Sequence, residues 1–124
     1  MVVGRVPQVT AHATTGRHLL ADFSGVRADL LADPQALERG MVEAAQAAGA
    51  RVLSAHFHHF GAGAGVTGVV MLSESHISIH SWPEHRYAAL DIFMCGAARP
   101  ELALERLRAR LAPESVRVTS VERG

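Results

Sequence analysis

"MLSESHISIHSWPEH", residues 71–85, decides how the rest of the chain folds. Ile77 and Ile79 alternate with His76, Ser78 and His80, the period-2 pattern of a strand with one face in a core and the other open. The polar face is unusual. It carries two histidines among serines and is entered through Glu74-Ser75, where a strand needing only solubility would more often carry Thr, Lys or Glu. "VTGVVML" (66–72) and "YAALDIF" (87–93) flank it as further strands, with turn residues between. Outward from this centre, "RHLLADF" (17–23), "RVLSAHFHHF" (51–60) and "SVRVTSV" (115–121) also read as strands, and "GAGAG" (61–65) as a flexible loop.

Helical spacing occurs twice. Asp33-Pro34 supplies an N-cap and a first-turn proline; Leu37, Met41, Ala44, Ala45 and Ala48 follow on one face, and Gly49 stops the run. Pro100 opens a second helix with a Leu104, Leu107, Leu111 stripe, which Pro113 ends. Residues 1–15 have no period and read as a loose arm before a single domain, 16–124. The predicted fold is an α+β two-layer sandwich, a mostly antiparallel sheet with two helices on one face. The other face then needs a cover, which predicts a homodimer.

Composition removes several functions. At 124 residues the chain has the length of one domain, with zero formal net charge and no basic run, so no nucleic-acid partner is expected. No segment approaches the roughly 20 apolar residues of a membrane span, and the N-terminus lacks a secretory pattern. The single cysteine, Cys95, suits a reducing compartment, and the cytoplasm is the expected location. All twelve basic residues are arginine. With no lysine there is neither a P-loop lysine nor the Schiff-base anchor of an ordinary pyridoxal phosphate enzyme.

Eight histidines raise the question of metal. No Cys-x2-Cys frame accompanies them, and the one His-x3-His spacing, His76 to His80, falls on a strand that holds the two rings too far apart for one ion, so no metal is expected, although a His-rich metal-binding module stays open as an alternative. Histidines satisfied on a sheet face account for His12, His18 and His85 better than for His76 and His80. Ser75 and Cys95 are the possible nucleophiles. A Ser75–His80–Asp91 hydrolase lacks the Gly-x-Ser-x-Gly elbow, and a Cys95-dependent hydrolase competes with a cysteine that merely packs. Asp91, inside "ALDIF", must either find partners or face a site.

The order of these residues resembles a known family. "GVTGVVMLSESHISIHSWPEHRYAALDIFMCG" (65–96) is similar to the core of the prokaryotic S-adenosylmethionine decarboxylase proenzymes, and "GRHLLADF" (16–23), "PQALERGMVEAAQAAGARVL" and the final "VERG" extend the likeness. The resemblance implies a pyruvoyl cofactor made from Ser75 by autocatalytic cleavage of the zymogen between Glu74 and Ser75, with no pyridoxal phosphate and no metal. It makes His80 the base that removes the Ser75 α-proton, Thr67 an aid to processing, and Cys95 the proton donor in turnover. Such a rearrangement needs a strained peptide, here expected on a strand edge. The fragments would be 1–74 and 75–124. The resemblance further implies a Schiff base between an amino-acid-type small-molecule substrate and the pyruvoyl carbonyl, with Phe60, Trp82 and Glu84 contacting that substrate. The product would be the aminopropyl donor of spermidine and polyamine biosynthesis.

The chain departs from the family at "HHFGAGAG", small and apparently one residue longer where bulkier residues are usual, and at Met94, where Thr is common. Six aromatic residues are few for gripping an adenine and a sulfonium. The same chemistry on arginine or ornithine, with Glu84 or Asp91 facing the distal cation, is the alternative.

Overall fold

The computed structural model describes residues 14–124. His12 and nearly all of the expected N-terminal arm lie outside the described residues. The described chain runs β1 (Gly16–Ser24), α1 (Ala28–Leu31), α2 (Pro34–Ala47), β2 (Val52–His59), β3 (Val66–Leu72), β4 (Ser75–Trp82), a 3₁₀ turn (Pro83–His85), β5 (Tyr87–Cys95), α3 (Pro100–Leu111) and β6 (Ser115–Arg123). The strands form one six-stranded sheet in the order β2-β3-β4-β5-β1-β6, antiparallel at every pairing.

Alternation sorts every central strand into two faces. Leu19, Ala21 and Phe23 of β1, Val66, Val70 and Leu72 of β3, Ile77 and Ile79 of β4 and Ala88 to Met94 at alternate positions of β5 are buried. They meet Leu37, Met41, Ala44 and Ala45 of α2 and Ala103, Leu107 and Leu111 of α3 in one core. Each such large side chain stabilises the fold by roughly 1.5–3 kcal/mol before the entropy of ordering is counted. Asp33 caps α2 as expected, its Oδ1 accepting the Ala36 N–H at 3.1 Å, with Pro34 in the first turn.

Four expectations are corrected. A one-turn helix, α1, joins the two long ones. The buried stripe of α3 is Pro100, Ala103, Leu107 and Leu111, with Leu104 only partly covered, because 3.6 residues per turn carries the face through 103 rather than 104. The glycine loop is a closed turn, its ends joined by the Phe60 N–H donating to Gly65 O at 3.0 Å and Ala64 N–H to Gly61 O at 2.8 Å. Finally, β4 is an interior strand and not an edge. Its histidines therefore point out of the middle of a sheet face that no helix covers, beside exposed Leu20, Met71, Trp82 and Val121.

Candidate active site

The expected site residues fall into two groups, one at each end of β4. At the start of β4, Leu72 pairs with Ser75, so Ser73 and Glu74 form a two-residue hairpin turn. Glu74 adopts φ +62°, the left-handed region that costs a residue bearing a side chain about 1–2 kcal/mol. The strain falls on the residue whose carbonyl precedes Ser75. Ser75 Oγ accepts the Cys95 N–H at 3.2 Å, so the end of β5 holds the hydroxyl in place and brings the thiol-bearing residue beside it. Cys95 is partly buried and free of any disulfide. Next to it, Arg17 Nη1 reaches Glu101 Oε2 at 2.9 Å and braces β1 against α3. The Glu101 carboxyl is held below the usual range by its own backbone N–H in the first turn of α3 and by the Arg17 guanidinium.

At the other end, Thr67 and His80 are cross-strand partners and share a hydrogen bond between Oγ1 and Nδ1 at 3.1 Å. A groove of about 400 Å³ is lined by Phe60, Thr67, His80, Trp82 and Glu84, together with the glycine turn. Phe60 is 63% exposed and sits edge-on to His58 at 4.6 Å. Trp82 stacks on Tyr87 at 5.4 Å. Buried Ser81, behind the groove, fixes its wall: Oγ accepts the Val66 N–H at 2.9 Å and donates to Leu31 O at 2.7 Å. Gly65 has no space for a Cβ, which would lie 2.0 Å from Ser81 O. These contacts lock the start of β3, and with it Thr67, against β4.

All five residues expected around substrate or in processing at this end therefore lie together. The structure does not bring His80 to Ser75 within one chain. Five residues of strand separate them by about 16 Å, and an odd spacing puts them on opposite faces. Nor does it assemble Ser75, His80 and Asp91 into a hydrolase triad. Asp91 Oδ1 is bonded to His18 Nε2 and, at 3.3 Å, to His76 Nε2. Sequence reasoning singled out Asp91 for its apolar surroundings but did not find this cluster, because His18 lies far away in the chain and only the β1–β5 pairing brings it near.

Asp22 and Tyr87 form a third polar feature, bonded through the phenol at 2.5 Å with Arg117 Nη2 at 3.0 Å from the same carboxylate. The phenol, and after it Arg117, hold the Asp22 carboxyl below its ordinary range, while Asp22 pushes the phenol up. No described helix is long and apolar enough to cross a membrane.

Comparison with known proteins gives the family and the fold. The family model "S-adenosylmethionine decarboxylase" matches residues 17–124. The chain is 44% identical over 110 residues to the S-adenosylmethionine decarboxylase proenzyme of Thermotoga petrophila, covering 88% of this chain and 84% of the relative. It is 44% identical over 114 residues to that of Brevibacillus brevis, covering 91% and 85%. Among solved structures, the adenosylmethionine decarboxylase of Aquifex aeolicus superposes with a TM-score of 0.81 at 35% identity, covering 88% of this chain and 90% of that one. With the sheet, the strained Glu74-Ser75 turn and the Thr67–His80 pair in place, the chain belongs to the S-adenosylmethionine decarboxylase family.

Proposed function

We propose that this protein is a self-cleaving, pyruvoyl-dependent decarboxylase of S-adenosylmethionine that works as a homodimer. The observation that carries the reading is Glu74 at φ +62° directly before a serine whose hydroxyl the Cys95 amide holds. Strain at a non-glycine residue is retained only where the surroundings enforce it, and it favours rearrangement of the peptide that follows. Ser75 Oγ adds to the Glu74 carbonyl and the peptide C–N bond breaks, leaving an ester and a free amine on Ser75. Loss of the Ser75 α-proton to a base then expels Glu74 as a carboxylate. Water replaces the resulting imine nitrogen, ammonia leaves, and residue 75 becomes the pyruvoyl group. A chain without lysine, in a family of proenzymes, fits a cofactor made from its own backbone.

When formed, the pyruvoyl group supplies the electron sink for loss of carbon dioxide. The chain's own residues do the rest: Cys95, at the same locus, returns a proton to the substrate carbon, and Phe60, Trp82 and Glu84 bind and orient the substrate. Two aromatic rings at the groove favour an adenine-bearing substrate over arginine or ornithine. Asp91, tied to two histidines, is not turned toward the groove as a partner for a distal cation.

Because Ser75 and His80 lie at opposite ends of β4, His80, Thr67 and the groove act on the Ser75 of a second copy. A two-fold pairing over the open sheet face brings each locus to the other's counterpart, twice per dimer. With one free cysteine the protein suits the reducing cytoplasm, where its product would feed polyamine synthesis.

Intact mass spectrometry of purified protein tests the reading. Two fragments, 1–74 and 75–124, are expected, the second with a blocked N-terminus, while Ser75→Ala stays whole. Carbon dioxide release should be highest from S-adenosylmethionine when it is assayed beside arginine and ornithine. An uncleaved wild-type chain that still releases carbon dioxide overturns the pyruvoyl mechanism. Cleavage with preference for arginine or ornithine overturns the substrate alone.

A further inference from the structure

We propose that Gly16 is the positioning residue of the Cys95 thiol, keeping open the space in which that thiol stands by bringing no side chain of its own. The inference rests on the reading of Cys95 as the residue that returns a proton in turnover. Gly16 of β1 is the cross-strand partner of Cys95 on β5, so Gly16, Cys95 and Phe93 belong to one sheet face. A glycine inside a strand packs nothing, and it often marks a place where other groups approach closely. Here the approach is measurable. A Cβ on buried Gly16 would stand 2.9 Å from Cys95 Sγ, from the Met94 carbonyl oxygen and from Phe93 Cε1, a separation that such carbons essentially never show.

Two of these three neighbours are held in place. The Met94 oxygen is backbone, inside the paired β1–β5 ladder. The Phe93 ring is flanked by its cross-strand partners His18 and His76, at 5.4 and 5.9 Å, and the Arg123 guanidinium lies over it at 5.4 Å. The thiol is the part that turns, since rotation about a single bond carries Sγ to another staggered position. A side chain at position 16 therefore displaces the thiol while the Cys95 amide stays on Ser75 Oγ. All of these contacts lie within one chain, so they hold equally beneath a second copy that covers this face.

Proton return depends on that placement. The thiol gives its proton to the substrate carbon that has lost carbon dioxide, keeps the S–H electron pair as a thiolate, and is reprotonated from solvent. Protonation at the carbon of residue 75 instead, followed by attack of water, releases the substrate as an aldehyde and leaves its nitrogen on residue 75 as alanine. Misplacing a reacting group by about 1 Å costs on the order of 10²-fold in rate. It also raises the share of turnovers that end in alanine. Gly16 thus governs both the rate and the choice of carbon.

The test compares full-length wild-type protein, Gly16→Ala, Cys95→Ala and the double variant, each checked for folding by circular dichroism. Intact mass gives the extent of cleavage and the alanine formed at residue 75, and carbon dioxide release from S-adenosylmethionine gives the rate. Gly16→Ala should cleave, turn over roughly 10–100-fold more slowly and form alanine in a larger share of its turnovers. In the Cys95→Ala background the same substitution should change neither rate nor share, because no thiol is left to displace. An equal fold-loss in both backgrounds overturns the inference by making Gly16 a packing residue of β1 and β5. A wild-type rate and share in Gly16→Ala overturns it by making the thiol's place independent of residue 16. Either result leaves Cys95→Ala slow, whereas wild-type turnover in Cys95→Ala overturns the reading on which the inference rests. Should Gly16→Ala not fold, the four proteins are made with Phe93→Leu, which removes one of the three close contacts, and the same outcomes decide.

Discussion

The role proposed for Cys95 can be tested at the scale of one residue because its backbone and its side chain would have separate tasks. Its N–H bonds Ser75 Oγ, a contact that any residue could provide, whereas proton return needs the thiol. Cys95→Ala should therefore still cleave, because the amide remains and the proposed base is His80. Turnover should then fall roughly 10²–10⁴-fold, the usual effect of losing a positioned acid. Protonation at the wrong carbon would also convert part of the cofactor, so an alanine should accumulate at position 75 during turnover, visible by mass spectrometry. If the thiol only packs, stability drops by about 1 kcal/mol and turnover stays near normal. A processed Cys95→Ala protein with wild-type rates would thus leave Cys95 as core.

At the scale of elements, the polar tie across β5, β1 and β6 carries a pH signature. Tyr87, Asp22 and Arg117 stand on those three strands and hold the Asp22 carboxyl low. A carboxyl with a depressed folded-state pKa stabilises the fold above its unfolded pKa and ceases to do so as pH falls through the folded one. Tyr87 behaves oppositely: its raised pKa adds stability below the ordinary phenol range that is lost in strong alkali. Tyr87→Phe, made in uncleaved Ser75→Ala so that unfolding involves one chain, should lose about 1 kcal/mol near neutrality. Denaturant melts should show that deficit shrinking as pH drops below the carboxylate range. A deficit independent of pH would show that the bond from the phenol to the Asp22 carboxylate is not its source.

On the proposed mechanism a single chain is an incomplete enzyme, since one end of β4 would carry the reacting residue and the other its base. Co-expression of Ser75→Ala with His80→Ala tests this pairing. Neither variant should cleave alone. In a mixed dimer the intact Ser75 of one chain meets the intact His80 of the other, so random pairing should cleave about half of the His80→Ala chains. Mass spectrometry of the co-purified pair reads this directly. Failure of the mixture to cleave would place the base within Ser75's own chain, and cleavage of His80→Ala alone would remove His80 from the role.

Much of this protein is determined locally, and local order is what a sequence reveals. Alternation of Ile77 and Ile79 with His76, Ser78 and His80 set the faces of β4, and Asp33-Pro34 set the start of α2, because side-chain direction and capping depend on residues a few positions apart. The run from Glu74 to Glu84 carried the family resemblance that marked the candidate cleavage site. Strand order was not legible. That β4 is interior, with β1 inserted between β5 and β6, follows from long-range pairing energies that no local pattern encodes. The Asp91 cluster depends on that insertion, since His18 reaches Asp91 only across the β1–β5 ladder. Tertiary structure alone also decided that Ser75 and His80 stand apart. Five residues are adjacent in a sequence, but in an extended strand, at about 3.3 Å per residue, they span the site.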